Sequence, residues 1–538
     1  KNLLVNDYQS LYLTELKDLI HKAKIFGFYF ATLDIRQDSR IHHTVFTHIT
    51  KSLIASGSNA LPSNYNDLDE ASQMNILATL HADITADQFD DELVFKTLGS
   101  IEAIKKIQQS NGEKGANRYI ISNNQSALNV MQVFAMLKMT AFKKEMPVDI
   151  VPLFETVDDL VNSSGIMESL YTNKEYRAHI ASRNNKQTIM LGFSDGTKDG
   201  GYLMANWSIF KAKEELTRIS RKYNIKVIFF DGRGGPPARG GGKTHQFYAS
   251  LGPTIENDEV QLTVQGQTIS SNFGTTDSAQ YNLEQLISSG VSNKFFDSAK
   301  NTLSAEQKNI MNELAELSYK TYTDFKNHEK FLPYLEKIST LKYYAKTNIG
   351  SRPSKRNSSE TLNFSDLRAI PFVGSWSQLK QNVPGFFGVG TALLKFEEKG
   401  EFDKVVNFYN NSKFFKSLID NSMMSMKKSF FELTRYMEND PEFGDFWKLI
   451  HKEFMTSKRL VLKLANHTEL MQNYPVSKAS IEVRESIVLP LLTIQQYALK
   501  KVQELNAQKN PDKKELEVYE KIITRSLFGN INASRNSA

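Results

Sequence analysis

Seven short apolar runs recur along the first part of the chain, and each meets polar or charged residues at one end. They are Ile25–Leu33, Tyr119–Ser122, Asp149–Phe154, Thr188–Phe193, Lys226–Phe230, Val260–Val264 and Ala369–Val373. Their length and their β-branched and aromatic content read as buried strands. Helical patterns lie between several of them, at 125–144, 205–223 and 304–338. Buried strands alternating with helices argue for a parallel α/β sheet or barrel. Seven strands are one short of the closed (β/α)8 arrangement. The expected fold is therefore a TIM-type barrel that lacks an N-terminal strand in this chain and carries extensive extra helices. Beyond about residue 385 glycines are few, and apolar residues fall at helical spacing over 412–437, 441–471, 477–505 and 513–526. The expected division is a barrel over 1–385, with helical insertions at about 41–117 and 280–350, and a helical region over 386–538.

Composition excludes several classes. The 538 residues contain no Cys, which removes disulfides, thiolate metal sites and a Cys nucleophile. No apolar run reaches the roughly 18 residues of a membrane-spanning helix. The 66 Lys and Arg against 60 Asp and Glu leave a net charge of +6. That is mild for a chain binding nucleic acid through its phosphates. The chain opens on Lys1 without the basic flank and apolar core of a secretory signal, so the expectation is that a preceding segment was removed or that this is part of a longer chain.

The most unusual local feature is Asp231–Gly242, DGRGGPPARGGG, which holds Gly232, Gly234, Gly235, Gly240, Gly241 and Gly242 out of 28 glycines in all. It leaves a buried strand, where glycines let backbone approach a ligand closely. Pro237 stands where a phosphate loop ending in Gly242-Lys243-Thr244 would need glycine, so the segment reads instead as a lid over an anion.

In a barrel, the ends of strands carry the chemistry. Glu155 and Asp195 each follow a strand-like run. Hard oxygens from two strands, completed by water, suit Mg²⁺ or Mn²⁺; taken singly, each acid also reads as an ordinary loop residue or helix cap. Arg36, Arg233, Arg239 and Arg368 flank such runs as well. Guanidinium forks grouped around a divalent ion imply a polyanionic substrate, whereas any one alone reads as a surface arginine. Lys198 points into the same pocket or lies on the following helix. Adjacent His42-His43 read as surface or packing residues, and the basic RPSKR of 352–356 as a solvated loop.

Taken together, these segments resemble phosphoenolpyruvate carboxylase. The matching stretches are FGFYFATLDIRQDSR (26–40), VPLFETVDDL (151–160), MLGFSDGTKDGG (190–201), FFDGRGGPPARGGG (229–242), VQGQ (264–267), GSRPSKR (350–356), LRAIPF (367–372) and the closing RNSA. They occur in family order from end to end. The resemblance implies Mg²⁺ or Mn²⁺ on Glu155 and Asp195. It implies a substrate phosphate gripped by Arg36, Arg233 and Arg368, with Lys198, Arg239 and Arg352 as further catalytic residues. The implied reaction is carboxylation of phosphoenolpyruvate by bicarbonate to oxaloacetate, which feeds the citric acid cycle. An inhibitory aspartate or malate is implied at Arg239, Lys428, Arg484 and Asn536, and a cytoplasmic homotetramer, with no nucleic acid or membrane partner, is the implied setting.

The sequence also departs from that family. A catalytic His in a TAHPT-like motif is absent from these residues. The chain is therefore expected to be the larger C-terminal portion of such an enzyme, with little turnover by itself. Asp231 replaces a usual His, Gln267 a usual acid and Lys380 a usual Arg, while Pro236-Pro237-Ala238 stiffens the loop. The alternative is a non-catalytic anion-binding or assembly subunit of the same fold. A phosphosugar or phosphoenzyme barrel outside the family is the expectation if Glu155 and Asp195 lie far apart.

Overall fold

The computed structural model describes residues 13–143, 145–265, 267–296, 301–346, 363–364 and 367–534. Six strands are present among them: β1 (Asp34–Asp38), β2 (Arg118–Ser122), β3 (Asp149–Phe154), β4 (Lys186–Gly192), β5 (Lys226–Gly232) and β6 (Val260–Leu262). They form one sheet in sequence order. β1 pairs with β2 in parallel, Asp34 opposite Arg118; β2 pairs with β3, Arg118 opposite Asp149; β5 pairs with β6, Phe229 opposite Val260. The rest is largely helical. This is a mostly helical α/β chain with a parallel sheet, compatible with a (β/α)8-type barrel carrying many extra helices.

Five of the seven expected strands coincide with observed ones, because continuous apolar runs suit strands buried on both faces. Tyr119, Ile121, Val151 and Phe154 are fully or almost fully buried. Two expectations are corrected. The run 25–33 is not a strand. A helix, Leu13–Phe26, occupies its start, and Gly27 and Phe30 then take positive φ values of 49° and 59°. Extended pairing begins only at Asp34, on the charged DIRQD segment, while Phe28 and Phe30 stand exposed. The run 369–373 is also not a strand but the first half of a buried helix, Ala369–Gln378. Pro371 sits in its first turn, where a missing N–H costs nothing. A short buried helix and a buried strand look alike in an apolar run of five.

Contacts group the chain into two compact units. The first comprises Lys1–Phe154, Asn162–Met190 and Ile219–Ile228; the second comprises Glu155–Val161, Leu191–Arg218 and Phe229–Ala538. In the first unit, the Asp38 carboxylate ends β1 and caps the helix Ser39–Ala55 by accepting from Arg40 N. The second unit is consolidated by aromatic packing: the ring of Phe325 stacks on Phe387 at 4.0 Å and on Phe446 at 5.2 Å. The helix after β4 begins at Phe193, well before 205, and is interrupted at Gly201, whose φ is 75°. A Cβ there would lie 2.8 Å from the Tyr322 ring, whose hydroxyl donates to Lys198 O at 3.0 Å. The kink fixes the backbone of Lys198.

Candidate active site

Glu155 directly follows β3 and is 6% exposed. Its N–H and that of Thr156 donate to Asp159 Oδ2 at 3.2 and 3.0 Å, and Asp159 N donates back to Thr156 Oγ1 at 3.1 Å. This reciprocal cap starts the helix Val157–Thr172 and fixes Glu155 at the junction. At the end of β4, a Cβ on Gly192 would lie 3.1 Å from Glu155 Cγ, and one on Gly196 would lie 3.4 Å from Glu155 O. Two glycines thus rest the turn that carries Asp195 on Glu155. The carboxylate-bearing segments meet, as a shared cation site requires. Among the described residues no group of three or more His, Cys, Asp or Glu forms a metal cluster. Two hard carboxylates with water for the remaining positions fit Mg²⁺, which sheds its hydration reluctantly.

The glycine loop is closed upon itself. Gly234 N donates to Arg239 O at 2.7 Å, Gly241 N to Pro236 O at 2.9 Å and Gly242 N to Gly235 O at 3.2 Å. A Cβ on Gly234 would strike the Arg239 guanidinium at 2.7 Å. That guanidinium is buried: Nε donates to Ser194 Oγ at 3.2 Å and Nη2 to Gln265 Oε1. Burial pulls its pKa down to about 10, against the opposing charge of Asp195 and the Tyr344 phenol. The loop therefore delivers a cation to the turn holding Asp195. Arg233 Nε donates to Gly240 O, and its guanidinium lies 4.3 Å from the centre of the Phe247 ring. A cavity of about 220 Å³ opens beside Arg233, Gly234, Gly241, Lys243 and Gln265.

Lys198 is buried, and its Nζ donates to Leu367 O at 2.7 Å and to Phe364 O at 3.4 Å. It therefore fastens the chain just ahead of Arg368, which stands at the N-cap position of the helix Ala369–Gln378. Arg36 belongs to the first unit and is the central residue of β1, opposite Ile120, and not the residue after a strand. Arg352 and Asn536 lie outside the described residues. Lys428 ends the helix Lys413–Lys427. Burial, then Lys380 and Arg484, lower its pKa to about 8 against Glu485. The structure thus gathers Lys428 with Arg484, while Arg239 is engaged at Ser194 and Gln265.

Several residues of this site carry no local sequence signal. Lys213 and Tyr248 meet Asp231 only through the fold. Ser194 and Gln265 fall within stretches that draw attention, SDG and VQGQ, for other residues.

Strand-end carboxylates, buried arginines and a self-bonded glycine loop on a parallel sheet make this an α/β protein of the enzyme class, compatible with a (β/α)8-type barrel. Within that class the comparison is specific. The model of the family described as phosphoenolpyruvate carboxylase matches residues 1–533, and the chain belongs to that family. Membership makes it a carboxy-lyase of carbon dioxide fixation, with phosphoenolpyruvate and bicarbonate as the family's substrates. None of its described helices is long and apolar enough to cross a membrane.

Proposed function

We propose that the chain forms the Mg²⁺-dependent carboxylating centre of a cytoplasmic homotetramer, with residues 1–385 catalytic and 386–538 carrying an effector site. Arg36, Arg233 and Arg368 bind the phosphate of phosphoenolpyruvate, with Lys198, Arg239 and Arg352 completing the pocket. Bicarbonate attacks phosphorus and displaces the pyruvate enolate, giving carboxyphosphate. Carboxyphosphate divides into CO₂ and phosphate, and the enolate carbon attacks CO₂ to form oxaloacetate. A divalent ion on Glu155 and Asp195 would supply positive charge against the enolate. The arginines absorb charge moving onto the phosphoryl group. The loop excludes water that would otherwise protonate the enolate. Without a TAHPT-like His among these residues, the 538-residue chain is expected to bind substrate with little turnover.

The observation that supports this reading is the reach of Arg239, whose Nε donates to Ser194 Oγ beside Asp195. Calorimetry of phosphoenolpyruvate with Mg²⁺ tests it. Binding that requires Mg²⁺ and falls about 100-fold in Arg233→Gln is the expected result, since a desolvated charge pair is lost. Substrate binding indifferent to Mg²⁺ counts against it.

The effector set has its own signature. A dicarboxylate held by Arg239, Lys428, Arg484 and Asn536 draws Arg239 from Ser194 and Gln265 and disarms the loop. Lys428, with a pKa lowered to about 8, loses its charge as pH rises through that value. Aspartate affinity is expected to fall by about tenfold between pH 7 and 9, as one cationic contact is lost. Titration calorimetry across that range checks this, and a constant affinity refutes it.

A further inference from the structure

Asp231 stands two residues ahead of Arg233. Its carboxylate is fully buried, with 0% exposure. Oδ2 accepts from Lys213 Nζ at 2.8 Å and from the Tyr248 hydroxyl at 2.6 Å. Lys213 is equally buried, at 1% exposure, and its ammonium lies 5.1 Å from the Phe229 ring centre and 5.2 Å from that of Phe247. Arg233 lies against the same rings: both cations are within 5.8 Å of the Phe247 and Tyr248 ring centres. Two buried atoms have no hydrogen-bond partner among the described residues, Asp231 Oδ1 and Arg233 Nη1. They are of opposite charge and close along the chain, yet they do not bond to each other.

An unmet carboxylate oxygen and an unmet guanidinium N–H ordinarily find one another in a low-dielectric site. We propose that Lys213 is a positioning residue for substrate binding: it cancels the charge of Asp231, so that Arg233 stays stacked on Phe247 with an N–H left for a substrate anion. The helix Phe193–Lys222 supplies this lysine, and the strand β5 supplies the aspartate. The pair works as a unit. Removing only its cationic half frees Asp231 to capture Arg233. Removing both halves leaves Arg233 without a competitor.

This inference rests on Arg233 binding the phosphate, and the experiment separates the two. Phosphoenolpyruvate affinity with Mg²⁺ is measured by calorimetry for the chain, Lys213→Met, Lys213→Met/Asp231→Asn and Arg233→Gln. Crystal structures of the first two variants accompany it. Lys213→Met is expected to weaken binding by at least about tenfold, and the double variant to return it to within about threefold of the parent. A lysine needed only for stability would not be rescued by a second loss at the same site. The crystal structure of Lys213→Met is expected to show the Arg233 guanidinium turned onto Asp231. Unchanged affinity in Lys213→Met, or a double variant as weak as the single one, overturns the proposal. If Lys213→Met does not fold, the double variant decides: near-parental affinity supports the proposal, and a tenfold loss overturns it. If Arg233→Gln binds as the parent does, the reading of Arg233 falls. The positioning role is then judged by whether Arg233 moves onto Asp231 in Lys213→Met or remains on Phe247, the latter refuting it.

Discussion

Gly241→Ala is expected to weaken phosphoenolpyruvate binding by more than about 100-fold, the scale of loss when reacting groups are displaced by about 1 Å. A Cβ at Gly241 would fall 1.8 Å from Gly235 O and 2.3 Å from Gly235 C, so the obstruction is backbone and no side chain can turn aside. The loop cannot yield at one point only. Gly241 N is bonded to Pro236 O, Gly242 N to Gly235 O and Gly234 N to Arg239 O, so a shift at 241 displaces Arg239 and the chain leaving Arg233. Pro236 and Pro237 stiffen the same turn, leaving few ways to absorb the change. Calorimetry reads the effect, with Gly165→Ala as the control, since a Cβ there meets nothing within 4 Å. An affinity for Gly241→Ala within about threefold of the parent would contradict the argument, because backbone overlap of this size cannot be absorbed without moving the loop.

Asp195→Asn is expected to raise the Mg²⁺ or Mn²⁺ concentration needed for substrate binding by about 100-fold, as loss of one of two charged oxygen ligands should. Asparagine keeps the shape and one acceptor oxygen but removes the charge. It also removes the anion that supports the charge of the buried Arg239 guanidinium. Electron paramagnetic resonance of free Mn²⁺ measures the ion's affinity directly, without turnover. An unchanged Mn²⁺ affinity would remove Asp195 from the ion site. Glu155→Gln provides the second test of the same site, because Gly192 and Gly196 bring both segments together.

The strands that could be read from the sequence were those whose apolar runs are also continuous in burial, such as Asp149–Phe154 and Lys226–Gly232. DIRQD does not read as a strand because it is a charged segment at the margin of the sheet, where Arg118 meets Asp34 at 2.6 Å. Ala369–Val373 misled for the opposite reason: it is buried throughout, and burial erases the periodicity that separates helix from strand. Within the site, Glu155 and Asp195 are recognisable because they stand where strands stop. Lys213 is not, because its partner lies on a different element and nothing in the FKAKEE stretch distinguishes it from Lys211, which the same helix leaves half-buried. Long-range ion pairs are properties of the fold, and local patterns do not announce them.

The order of the sheet has a consequence for how the chain assembles. Each strand pairs with the one preceding it in the sequence, from β1 to β6. Among the described strands, the pairing of β1 with β2 is the most demanding, since Asp34 and Arg118 are 84 residues apart and the loop between them must close to bring them together. After it, each of the described strands β3 to β6 meets the edge of the strand before it. A ribosome releasing the chain from its amino end presents the strands in that same order. The sheet can thus be laid down in the direction of synthesis, one edge at a time.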